Sequence, residues 1–222
     1  VRDPATGGWR TTASHSDPPG GKVKADTVEN DGCRRLSVEG YGGMNMATWL
    51  DRPLTVAGRV LLRTGDGVET RLVHLDRDLL VIPSLAIHMQ RDVNRGHEYN
   101  PQIDMQPLWG PAEGRTLTDL LCEELGVAAA HILDRDLQLV VRQTPARIGP
   151  DGEFFLAPRI DDLECAAATL LAFLDAAAGT DSACAPVWAM LDNEEVGSSS
   201  RQGAQSSILR DVLDRILEAV PH

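Results

Sequence analysis

Aromatic side chains are scarce in this chain of 222 residues, at 4% of the total, so alanine and leucine must carry much of the apolar content. Cysteine is sparse too. Cys33, Cys122, Cys165 and Cys184 lie far apart and form no C-x-x-C pair. With no signal-like apolar segment in front, they read as reduced thiols, and the expected location is cytoplasmic. No run of 18 apolar residues occurs, so no membrane-spanning helix is expected. Basic residues are outnumbered, 21 against 33 acidic, which gives a net charge of -12. A mean field of that sign repels phosphate and argues against nucleic acid or an anionic membrane as a partner. It leaves room for an anionic substrate in a locally basic pocket. Internal repeats and low-complexity segments are also missing. What remains is ordinary for a globular protein: 42% apolar and 24% charged residues, enough for one large domain or two small ones.

The opening piece reads as a strand, Arg10 to Ser14, running into the loop His15-Ser16-Asp17-Pro18-Pro19-Gly20-Gly21. From about Ala25 to Gly149 the chain reads mostly as β. Leu54, Val56, Gly58, Val60 and Leu62 alternate with more polar neighbours, and Thr64-Gly65-Asp66-Gly67 predicts a hairpin turn. Leu79 to Ile87 is an edge strand or is broken at Pro83, and Arg91 to Gly114 reads as a long loop. Thr116 to Leu125 predicts a short helix, with Thr118 as its cap and Gly126 as its stop. After Gly149 the pattern changes. Phe154-Phe155-Leu156 reads as a buried strand, and Leu163 to Ala178 as a helix capped by Asp161 or Asp162. Val187 to Leu191 follows as a buried strand, and Ser206 to Val220 as an amphipathic helix. Strand, helix, strand, helix implies a parallel α/β layer. The expected organisation is an α/β domain in two pieces, 1–25 and 150–222, around a β-rich insert at 26–149.

Ala185 to Ser198 is the most informative stretch, because an apolar run ends in Glu194-Glu195 and then turns through Gly197. One such carboxylate can bind a cation while its neighbour moves protons, the division of labour that metal-assisted hydrolysis needs. Two other loops follow apolar runs on the same proposed layer. One offers His15 and Asp17, the other Asp161. Ligands of open α/β sheets gather at the carboxyl ends of strands. An imidazole with several carboxylates suits zinc, manganese or cobalt. Each loop alone has a plainer explanation: a surface pair, a helix cap, a solvated turn. Only the three together point to a site.

At these positions the chain resembles the aspartyl aminopeptidase family of dinuclear zinc exopeptidases. His15-Ser16-Asp17 with Lys22-Val23-Lys24, Pro158-Arg159-Ile160-Asp161, and Asp192 to Ser198 with Gly203-Ala204 carry the likeness. Tyr41-Gly42-Gly43, Trp49, Asp51-Arg52, Leu54 to Val60, Ile82 to His88 and Arg91 to Asn94 extend it through the middle of the chain. The resemblance implies a phosphorylase/hydrolase-like zinc-peptidase α/β domain with an inserted β-rich dimerisation domain. It implies that His15 binds one metal, Asp161 bridges two, and Glu195 binds the other. Glu194 would be the general base that deprotonates the attacking water, and Asp17 would fix the His15 tautomer. His88 would reach a neighbouring subunit's active site and help hold substrate. The implied substrate is a peptide with an acidic N-terminal residue, for which Lys22, Lys24 and Arg159 are candidate cations, and the implied assembly is a large homo-oligomer.

Members of that family continue beyond the position of His222, where they supply a further aspartate and histidine as ligands. Pro221-His222 does not match that late motif. Both ends of this chain read as cut, and these 222 residues alone are expected to bind metal weakly and turn over little. Three alternatives stand beside the aminopeptidase reading: a dinuclear aminopeptidase of broader specificity, a non-catalytic assembly subunit that keeps the fold, and a magnesium-dependent phosphohydrolase. His15 and the net charge of -12 disfavour the last.

Overall fold

The computed structural model describes residues 4–179 and 183–219. In chain order its elements are α1 (Pro4–Gly7), β1 (Trp9–His15), β2 (Gly20–Asn30), β3 (Cys33–Tyr41), β4 (Leu54–Thr64), β5 (Gly67–His74), β6 (Leu108–Pro111), α2 (Leu117–Leu125), β7 (Ile132–Val141), β8 (Ala146–Ile148), β9 (Phe154–Leu156), α3 (Ile160–Ala178), β10 (Ala185–Leu191) and α4 (Ile208–Ala219). They divide into two units. One joins the residues up to Pro19 with those from Ala157 onward, and the other spans Gly20–Leu156. Val220, expected as an apolar position of the last helix, lies outside the described residues, as do Pro221 and His222.

The first unit is a parallel α/β layer. β1 and β10 pair in parallel, with Trp9 opposite Ala185 and His15 opposite Leu191. Parallel neighbours need a crossover connection, and α3 packs on both strands. Its alanines allow that close approach: Ala166 is buried, and the Trp188 indole N–H donates to Thr169 Oγ1 at 3.0 Å. The apolar positions of α4 recur at three and four residues as the sequence predicts, yet none of its residues is buried.

The second unit is a six-stranded sheet in the order β5-β4-β7-β2-β3-β6, with antiparallel neighbours throughout. The alternation read in β4 holds in part: Leu54, Val56, Val60 and Leu62 are all buried, but so is Thr55 on the opposite face. Leu36, Val38, Leu137 and Leu139 from neighbouring strands join them, and Leu117 and Leu121 of α2 complete the core. At Gly58 the backbones of β4 and β7 approach closely. A Cβ there would collide with the Asp136 carbonyl oxygen, and its φ of 151° already excludes most side chains. Thr64 pairs with Gly67 across the expected hairpin turn. Leu80, Val81 and Ile82 make only isolated bridges before Pro83, so the strand expected there is broken. Among the described residues, no helix is long and apolar enough to cross a membrane.

Three expectations need correction. The breaks expected after 25 and 149 lie inside the second unit, because β2 starts at Gly20 and the β8–β9 hairpin belongs to the unit that ends at Leu156. Phe154-Phe155-Leu156 is a strand, but it pairs antiparallel with β8 rather than joining the α/β layer. Phe154 and Phe155 are 66% and 64% exposed. A short apolar run does not by itself say which layer receives it. The cap of α2 is Thr116, whose hydroxyl accepts from the Asp119 N–H at 3.1 Å while the Asp119 carboxylate accepts from the Thr116 N–H.

Thr118 has a different role, bound up with Asp26 of β2. The Asp26 carboxylate accepts the N–H groups of Leu117 at 3.0 Å and Thr118 at 3.2 Å, and the Thr118 hydroxyl as well. Arg135 lies 3.7 Å away. An anion from a strand thus satisfies the orphan donors of a helix N-terminus. Burial opposes ionisation of Asp26. The hydrogen bonds from Thr118 and Thr27, the Arg135 guanidinium and the Leu117 amide outweigh it and hold the carboxyl below its ordinary range. A group depressed in the folded state stabilises fully above its unfolded pKa of about 3.9, and that contribution is lost as pH falls through the folded value. Asp26→Ala is therefore expected to cost about 3 kcal/mol near neutrality. In urea titrations the deficit should shrink below about pH 4; an equal deficit at pH 3 and pH 7 would deny the carboxylate this role.

Candidate metal centre

Parallel pairing brings the ends of β1 and β10 together. Because His15 stands opposite Leu191, the loops that leave these strands emerge side by side at their carboxyl ends. The start of α3 arrives at the same place. Five of the six expected site residues, His15, Asp17, Asp161, Glu194 and Glu195, belong to this unit.

His15 is half-buried and held from both sides of its ring. Nδ1 lies 3.1 Å from the Asp17 backbone carbonyl and 3.4 Å from Asp17 Oδ1. A carbonyl only accepts, so Nδ1 carries the proton and donates, which leaves the Nε2 lone pair free as a donor to a cation. Nε2 faces Asp161 Oδ1 at 3.3 Å and Glu194 Oε2 at 3.8 Å.

The buried Asp17 carboxylate has a further function that the sequence does not announce. Its two oxygens accept the backbone N–H groups of Glu194 and Glu195, each at 3.2 Å. One side chain thereby ties the exit of β1 to the exit of β10. The turn itself is closed by Gly197 N–H donating to the Glu194 carbonyl at 2.8 Å and Ser198 N–H to the Asn193 carbonyl at 2.9 Å. Gly203 is fixed against this turn, since a Cβ there would strike the Ser198 carbonyl.

Asp161 or Asp162 was expected as the cap of a helix from Leu163 to Ala178. Arg159 precedes the span of α3, in the left-handed region at φ 60° and without a side-chain capping bond. Both aspartates have non-helical dihedrals, so regular helix begins after them. Asp161 is 81% exposed and turned to Nε2, whereas Asp162 is 15% exposed and accepts the His15 backbone N–H at 3.1 Å. Sequence reading missed Asp162 because one acidic residue suffices to cap a helix. The doubled aspartate was the only signal.

His15, Asp161 and Glu195 each bring one ligand atom to a group in which all three lie within 4.8 Å of one another. The acidic crowding has an electrostatic consequence. Burial and the carboxylates of Asp161 and Glu194 push the Glu195 carboxyl above its ordinary pKa. Burial lowers the pKa of His15, but the Asp17 carbonyl and the carboxylates of Asp162, Asp17 and Glu194 outweigh it and raise the imidazole. A cation would relieve the carboxylate repulsion that the Glu195 shift records. One imidazole nitrogen and two carboxylates fit zinc in number and kind, short of a full ligand set for two ions.

His88, Lys22 and Lys24, by contrast, lie in the second unit. His88 is exposed in the turn at 87–89. Lys22 pairs with Asp136 at 3.2 Å, and Lys24 donates to Gln102 at 3.4 Å, so both cations are engaged within their own unit. Arg159, two residues before Asp161, is exposed in the first unit.

Comparison with known proteins bears directly on this cluster. Residues 2–222 match the family model described as aminopeptidase I zinc metalloprotease (M18). A probable M18 family aminopeptidase 2 of Clostridium acetobutylicum is 38% identical over 219 residues, covering 95% of this chain and 50% of that protein. The chain thus spans about half the length of the curated relatives it matches. Among solved structures, one from the Ape4 and Nbr1 complex superposes with a TM-score of 0.89 at 32% identity, covering 99% of this chain and 47% of the other. The S. cerevisiae mApe1 dodecamer gives a TM-score of 0.76 at 26% identity, with 95% and 49% covered.

Proposed function

On the premise that this chain belongs to the M18 family of aminopeptidase I zinc metalloproteases, we propose that its protein removes acidic N-terminal residues from peptides by zinc-assisted hydrolysis. The observation that carries this reading is the convergence of His15, Asp161 and Glu195 at the carboxyl ends of two parallel strands. In this proposal His15 and Asp161 hold one ion, and Asp161 and Glu195 hold a second. Each ion then has two protein ligands, where catalytic zinc takes about three, and residues outside these 222 supply the rest. Manganese or cobalt would suit the same donors.

When bound, the pair of ions would supply Lewis-acid polarisation of the scissile carbonyl and a lowered pKa for the attacking water. The chain's own residues do the rest. Glu194, half-exposed beside His15 Nε2 and bonded through its backbone to Asp17, takes the proton from the water and returns it to the leaving amine. Asp17 sets the height of the glutamate turn and, through its carbonyl, the tautomer of His15. Arg159 is the cation of this unit best placed by sequence to meet an acidic side chain. His88 contributes to a neighbouring subunit's substrate site, and Gly20–Leu156 serves as the assembly domain of a cytoplasmic homo-oligomer. The dodecameric state of the S. cerevisiae relative supports that assembly.

The test is hydrolysis of peptides with N-terminal Asp or Glu by the full-length protein, loaded with zinc. Free peptides should be cleaved and N-acetylated ones should not. Cleavage of Leu and Asp peptides at equal rates would favour the broader-specificity aminopeptidase. Assembly without metal uptake would favour the non-catalytic subunit.

A further inference from the structure

Just past the end of β1 the Ser16 N–H donates to the Leu191 carbonyl at 3.0 Å, so the ladder to β10 uses that side of the chain. Backbone groups alternate along a strand, and the His15 N–H therefore points away from β10. No strand receives it among the described residues. Its acceptor is Asp162 Oδ2, at 3.1 Å. The same carboxylate accepts the thiol of Cys165, which stands exposed three residues on in α3. Asp162 Oδ2 also lies 3.8 Å from His15 Nε2, and the side chain is largely shielded from solvent. The two consecutive aspartates are thus divided in task. Asp161 projects its carboxylate for ligation, and Asp162 turns inward to hold the strand that bears the partner ligand.

We propose that Asp162 is a positioning residue of the metal centre: by accepting the His15 backbone N–H it fixes the spacing between His15 and Asp161, on which shared metal binding depends. This rests on the metal-site reading above. An acceptor that fixes a ligand's backbone acts like the outer-shell partners whose loss costs about 10- to 100-fold in metal affinity. The required property is a hydrogen-bond acceptor of the right reach rather than a negative charge. Asparagine, which keeps an acceptor oxygen at the same distance from the backbone, should therefore substitute for it.

The experiment uses the full-length protein with cobalt as the probe, because its visible absorption reports coordination independently of turnover. Asp162→Ala is expected to bind cobalt about 10- to 100-fold more weakly and to alter the absorption bands. Its kcat should fall while KM stays within about twofold, since uniform substrate binding is untouched. Asp162→Asn should restore affinity and spectrum to within about threefold of wild type. If Asp162→Ala does not fold, Cys165→Ala removes the thiol that steadies the carboxylate and should weaken cobalt binding about threefold. Unchanged affinity and spectrum in Asp162→Ala, or in Cys165→Ala where that variant stands in, would overturn the proposal. So would an Asp162→Asn variant as impaired as alanine. Wild-type protein that takes up no cobalt would instead overturn the metal site itself.

Discussion

Glu194→Gln in the full-length protein is expected to keep its metal and to lose turnover by about 1000-fold, within the range that general acid–base groups contribute. Glu194 is 54% exposed and lies 3.8 Å from His15 Nε2, beside the ligands without belonging to the group of three that they form. The amide has nearly the same shape, so Asp17 still receives the backbone N–H of residue 194 and the turn is undisturbed. What disappears is a base. Glu195→Gln should behave in the opposite order, losing metal first and activity as a result, because Glu195 is a member of the close donor group. Metal content by atomic emission, set against kcat for each variant, separates the two. Equal metal loss in both would sink this division of roles.

Asp161→Asn carries the second large effect. Asp161 is the donor that both ions share in the proposed site, so weakening it costs each of them a ligand. The expected loss of affinity exceeds about 100-fold, the ceiling for removing an outer-shell partner, and turnover should fall with it. Its side chain is 81% exposed, so the fold should tolerate the change. Dialysis against a chelator at graded metal concentrations, with thermal unfolding as a control, measures both properties. Retention of metal at wild-type affinity would show that Asp161 is not the shared ligand.

Sequence pattern made much of this legible where the period was clear or the chemistry was dense. β4 could be read because Leu54, Val56, Val60 and Leu62 alternate and are buried in fact. His15, Asp161 and Glu195 could be singled out because each is a ligand-type side chain, and their ligand atoms do lie within 4.8 Å of one another. Phe154 and Phe155 misled, because an apolar triplet encodes hydrophobicity but no destination, and both rings are exposed on a small hairpin. The struts of the site were the least visible part. Asp17 and Asp162 act on backbone N–H groups far away in the chain, at Glu194, Glu195 and His15. A hydrogen bond from a side chain to a distant backbone group leaves no periodicity and asks nothing of the partner's side chain. Asp26 hid its cap on α2 for the same reason.

The pairing of β1 with β10 also has a consequence in time. Ser16 and Leu191, whose groups meet at the end of that ladder, are 175 positions apart. Closing a disordered segment of such length costs on the order of 5 kcal/mol in chain entropy, and parallel pairings of this range are intrinsically slow to form. Gly20–Leu156 carries its own sheet and core, so it can order itself first and remove most of that freedom beforehand. His15 is therefore among the first of these ligands to be synthesised and must wait for Glu195, nearly the whole described chain later. Throughout that wait its imidazole has no site, and the protein is exposed to every wrong partner that a bare strand can find.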